Sequence, residues 1–175
     1  MQMTLAALGC VLVLAAYTDL RYRRIPNALV ALGLCGALAS VSFGWSTLTL
    51  GQCLLGAVTG LALFLPLYMC RAVGAGDAKL MAAVGAFVGA HAVLWVVVYT
   101  ALIGGVMAVV TVMALGNAKQ TAQGIWSFLR ALWIRFSGVG APMPVFIPST
   151  TARMPYALAI GAGAMTWFGL GPLVQ

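Results

Sequence analysis

Four stretches of this chain, residues 1–18, 25–70, 80–118 and 154–175, contain no Asp, Glu, Lys or Arg. A bilayer-crossing helix takes roughly 20 apolar residues, so these runs hold one, two, two and one helices. Composition agrees: the chain is 63% hydrophobic and only 6% charged, against about 25% charged in a soluble domain. The sequence predicts an all-α integral membrane protein of six transmembrane helices, a single domain over residues 1–175 without a soluble appendage. The spans are read as Met3–Thr18, Ala28–Phe43, Leu50–Met69, Ala78–Ala90, Ala92–Leu115 and Pro155–Leu170, with the fourth and fifth divided at His91. The uncharged stretch 136–152 is excluded, because Gly138, Gly140, Pro142, Pro144 and Pro148 suit a loop better than a helix.

The nine basic residues then set an orientation. Arg21, Arg23 and Arg24 follow the first span, Arg71 and Lys79 lie around the start of the fourth, and Lys119, Arg130, Arg135 and Arg153 lie between the fifth and sixth. All three segments fall on one side of a six-span chain, which the positive-inside rule makes cytoplasmic, with both termini on the periplasmic side. The formal charge of +7 is thus read as topology and attraction to membrane lipids. The basic residues are spread over short loops rather than gathered on one face, which argues against nucleic acid. The first span lacks a basic n-region, so it is read as a retained helix rather than a signal peptide. Between spans five and six, Ile125, Trp126, Leu129, Trp133 and Phe136 recur near helical spacing, which predicts an interfacial helix over Thr121–Phe136 on the cytoplasmic surface. Its simplest role is a membrane-anchored linker; a platform for a membrane-bound substrate is the alternative.

Cys10, Cys35, Cys53 and Cys70 are scattered singly and only His91 could join them, so no metal site is expected. Small-residue spacing such as Gly85/Gly89 suits close helix packing.

The acids are the informative residues. Asp19 and Asp77 are the only two in the chain, and a carboxylate kept in so apolar a sequence is a functional candidate. Asp19 lies in Tyr17-Thr18-Asp19-Leu20-Arg21-Tyr22-Arg23-Arg24-Ile25-Pro26-Asn27, at the end of the first span. Asp77 lies in Gly74-Ala75-Gly76-Asp77-Ala78-Lys79-Leu80, before the fourth. Proline suits a helix start, and the glycines permit a tight turn or close approach of another segment. Both acids fall on the same predicted side. Two carboxylates close enough to share a proton can activate water, one accepting a proton and the other donating a hydrogen bond to the scissile carbonyl. Taken singly, Asp19 reads as a salt-bridged topology residue and Gly-x-Gly-Asp as a chance loop pattern; taken together they are more specific.

These two blocks, with Gly85, Gly89 and the segment Arg153-Met154-Pro155-Tyr156-Ala157-Leu158-Ala159-Ile160-Gly161, resemble the bacterial type IV prepilin peptidases, specifically the short form that serves Flp-type tight-adherence pili. The Gly-x-Gly-Asp motif is similar, more distantly, to that of presenilin-like proteases. The resemblance implies an aspartic endopeptidase of the inner membrane, without a cofactor, that removes the leader of prepilins and pseudopilins at the cytoplasmic face and works beside a pilus assembly machinery. By residue-wise transfer it implies Asp19 and Asp77 as the catalytic pair. Gly74 and Gly76 would shape the loop carrying Asp77, Lys79 would anchor that loop or tune the pair, and Pro26 and Asn27 would give further support. Long members of the family carry an additional segment with paired Cys-x-x-Cys motifs and also methylate the new N-terminus; no such segment is seen here, and methyl transfer is not expected. Two other readings compete: a small ion or solute transporter with paired membrane acids, and a non-catalytic pilus assembly factor. No convincing internal repeat supports the transporter, and retention of both acids argues against the scaffold.

Overall fold

The structure, a computed structural model, describes residues 2–70, 72–114, 116, 119, 123–124, 126–127, 130, 133–134 and 156–170. Most of the expected interfacial helix, together with Arg71, Arg135 and the Arg153-Met154-Pro155 segment, lies outside them. Helices α1 (Gln2–Tyr22), α2 (Asn27–Ser42), α3 (Leu50–Met69), α4 (Ala75–Val88), α5 (Ala90–Ala114) and α6 (Tyr156–Leu170) make up the fold, and no strand occurs among the described residues. Among the described residues, three helices are long and apolar enough to cross a membrane: α1 from Met3, α3 and α5. At about 1.5 Å per residue, the 16 residues of α2 and the 14 of α4 fall short of a ~30 Å hydrocarbon core.

Helix ends follow from local chemistry. Thr49 caps α3 through a reciprocal box, its Oγ1 accepting the Gln52 N–H while Gln52 Oε1 accepts the Thr49 N–H. The expected end of the first span at Thr18 is too early. Leu20 and Arg21 continue the helix readily, and it closes only where Arg23 turns to φ +51 and its N–H reaches the Asp19 carbonyl at 2.8 Å. Asp19 therefore stands on the last turn of α1. The division expected at His91 lies at Gly89 instead, whose φ of +86 and ψ of 168 belong to a region essentially reserved for glycine. His91 is exposed one residue inside α5.

Helix α4 is the centre of the bundle and packs against each of the other five. Ala78 and the run from Leu80 to Phe87 are buried, the pattern of a helix enclosed on all sides. Its tightest seam is with α3. A Cβ on Gly56 would strike the Gly85 carbonyl, and one on Gly85 would strike the Gly56 carbonyl, so these backbones touch directly. The outer faces carry large apolar side chains such as Val58, Leu102, Val106 and Val109, a surface suited to lipid tails rather than water.

Candidate active site

Asp77 owes its position to the first turn of α4. Gly74 is the residue before that helix, with φ −75 and ψ 153. Its N–H donates to Asp77 Oδ2 at 3.2 Å, while its carbonyl accepts the Asp77 N–H at 3.1 Å. Three-residue spacing is what lets an acid reach back to the residue opening its own helix. The glycines serve space rather than a special turn. A Cβ on Gly74 would sit 3.1 Å from Asp77 Oδ2, and one on Gly76 would sit 3.1 Å from Ile25 Cβ. Close approach is thus the explanation at Gly74 and Gly76, and neither has a positive φ.

The second block arrives through that same contact. Ile25 lies over Gly76, Pro26 opens α2 with φ −63, and Asn27 Oδ1 accepts from Lys79 Nζ at 2.9 Å. So Pro26, Asn27, Gly76 and Lys79, separated by some fifty positions, form one junction between the start of α2 and the start of α4. Lys79 uses its ammonium on Asn27, as an anchor across that junction.

Asp19 reaches the junction from α1. It is buried, and its Oδ2 accepts the backbone N–H of Ala157, at the start of α6, at 3.2 Å. α1 packs against both α4 and α6. Asp77 lies just before the apolar segment that begins at Ala78. Burial pushes its carboxyl up to about 6, the Asp19 charge adds to that, and the Gly74 N–H opposes both. The only two acids of the chain are therefore within electrostatic reach of one another. Tyr156, half-buried beside Ala157, completes the neighbourhood. The Ala157 N–H was not legible as a partner of Asp19, since a main-chain donor carries no residue signature; the segment around Tyr156 was the only hint.

Among the described residues, no three His, Cys, Asp or Glu gather as metal ligands, and all four cysteines are free.

Comparison with known proteins is decided by residues 6–109, more than half of the chain, which match the profile of the type IV leader peptidase family. The chain belongs to the type IV leader peptidase family. Both Asp19 and Asp77 fall within the part matched by that family, whereas Tyr156 and Ala157 lie beyond it. A relative, the prepilin leader peptidase/N-methyltransferase of Xanthomonas campestris pv. campestris, is 30% identical over 141 residues, covering 74% of this chain and 47% of the relative. The chain thus spans about half the length of the curated relative it matches. No solved structure matches it.

Proposed function

We propose that this leader peptidase family member is a membrane-embedded aspartic endopeptidase that cuts the leader from Flp-type prepilins and pseudopilins at the cytoplasmic face of the inner membrane, with Asp19 and Asp77 as its catalytic pair. The observation that carries the reading is the electrostatic meeting of the chain's only two carboxylates, one held by the Gly74 N–H and the other by the Ala157 N–H. One carboxylate, ionised, takes a proton from a water molecule. The water oxygen bonds to the scissile carbonyl carbon while the other, protonated carboxyl donates to the carbonyl oxygen, and the leaving amine then takes up the proton drawn from water as the C–N bond breaks. Gly74, Gly76, Lys79, Pro26 and Asn27 support the two acid-bearing segments. The remaining architecture is part of the proposal: one domain over 1–175, six crossings, an interfacial helix between the fifth and sixth, and both termini periplasmic. Membrane lipids and a pilus assembly machinery are the proposed surroundings.

The test is co-expression with a Flp-type prepilin, read by gel shift and N-terminal mass. Wild type cleaves; Asp19→Asn and Asp77→Asn each lower the rate by about 10²–10⁴-fold, the range for loss of an acid–base group. Cleavage that persists in either variant refutes the paired-acid mechanism.

A further inference from the structure

We propose that the seam between α5 and α6 positions the Asp19 carboxylate: Gly104 of α5 seats the Tyr156 ring, and this seat fixes the first turn of α6 so that the Ala157 N–H meets Asp19. The inference rests on the peptidase reading above and adds to it a residue, Gly104, far in sequence from both acids.

Asp19 needs a donor. It stands on the last turn of α1, where unpaired carbonyls make the helix end negative. Its own helix therefore offers it nothing. The first N–H groups of a helix have no partner within that helix, and α6 presents one of them, that of Ala157, at 3.2 Å. The bond exists only if α6 is set at the right depth.

Two close approaches set that depth. A Cβ on Gly104 would lie 3.1 Å from the Tyr156 hydroxyl oxygen, 3.2 Å from Cζ and 3.5 Å from Cε1, so the phenol ring rests on bare backbone. Farther along, a Cβ on Gly163 would strike the Thr100 hydroxyl and lie 2.8 Å from the Thr100 nitrogen. Thr100 is fully buried and its Oγ1 has no hydrogen-bond partner. An added Cβ finds no room between Gly163 and the Thr100 backbone, so the seam is closed tightly at that point. With Gly163 holding the register at one end, Tyr156 on Gly104 holds it at the end that carries Ala157. Tyr156 adjoins the residue bonded to Asp19, so a shift of its ring moves the donor directly.

The experiment measures kcat and KM for prepilin cleavage by the full-length protein in detergent, with thermal unfolding alongside. Gly104→Ala is expected to lower kcat about tenfold while KM stays within twofold. Gly105→Ala is the matched control, since an added Cβ there meets nothing within 4 Å, and it should behave as wild type. Tyr156→Ala should repeat the kcat loss, and Tyr156→Phe, which keeps the ring, should restore most of it. Equal kcat in Gly104→Ala and Gly105→Ala overturns the proposal. So does a Tyr156→Phe as impaired as Tyr156→Ala, which would assign the effect to the hydroxyl. If Gly104→Ala does not fold, the two Tyr156 variants decide. Asp19→Asn and Asp77→Asn run in parallel: cleavage surviving in either strikes the peptidase reading itself, whereas inactive acid variants beside seam variants that match wild type strike only this inference.

Discussion

Replacing Gly60 with alanine should damage the protein from a position that faces neither acid. Gly60 lies on α3, and an added Cβ would stand 2.5 Å from the Met81 carbonyl oxygen, 3.1 Å from its carbon and 3.4 Å from the Ala82 Cα. All three are backbone atoms of α4, so no side-chain rotation relieves the clash. Close carbon–oxygen contacts between helices settle at about 3.3–3.6 Å, and the two helices must part by about 1 Å. Overpacking of that kind costs about 1–3 kcal/mol. Alanine returns about 1 kcal/mol through its helix propensity, leaving a net loss of up to about 2 kcal/mol. The functional cost is larger, because Met81 is one turn along the same face of α4 as Asp77. A misplacement of about 1 Å can cost on the order of 10²-fold in rate. The assay pairs an unfolding midpoint in mixed detergent with the rate of prepilin cleavage per folded molecule. Gly51→Ala, on the same helix with open space around the added Cβ, is the control and should lose neither. A Gly60→Ala protein as stable and as fast as Gly51→Ala would refute the claim that α3 sets the place of Asp77.

Other outcomes follow from the same geometry. Asp77 carries its carboxyl at about 6, so it keeps a proton between the ordinary aspartate value and that point and loses it as pH rises through about 6. The pair needs that proton, and kcat/KM should fall about tenfold per pH unit above the limb; a flat profile from pH 5 to 8 would contradict the shared-proton mechanism. Gly89→Ala forces a side chain into a backbone conformation that costs about 1–3 kcal/mol, seen as a lowered unfolding midpoint; an unchanged midpoint would mean the α4–α5 break relaxes freely. Lys79→Met and Asn27→Ala each break one exposed hydrogen bond and should each lower cleavage less than about tenfold. Their double variant should be no worse than the more impaired single one, and additive losses would show that the two side chains act separately.

The sequence alone determined which segments become helices and which residues are candidates for chemistry. Insertion into an apolar phase depends on the local sum of hydropathy, so charge-free runs mark helices without reference to any partner; the bounds of α3, Leu50–Met69, coincide with that reading. The acids were legible because they are two and no more. Tertiary structure decided where helices stop and what meets what. The end of α1 at Tyr22 and the break at Gly89 depend on single backbone torsions, which hydropathy does not register. The bond from Ala157 to Asp19, the anchor from Lys79 to Asn27, and the rest of Tyr156 on Gly104 join residues far apart in the chain. Those meetings are set by how closely backbones approach along glycine seams such as Gly56 on Gly85. A glycine in sequence advertises room for a neighbour; which neighbour fills it is fixed only when the helices are packed.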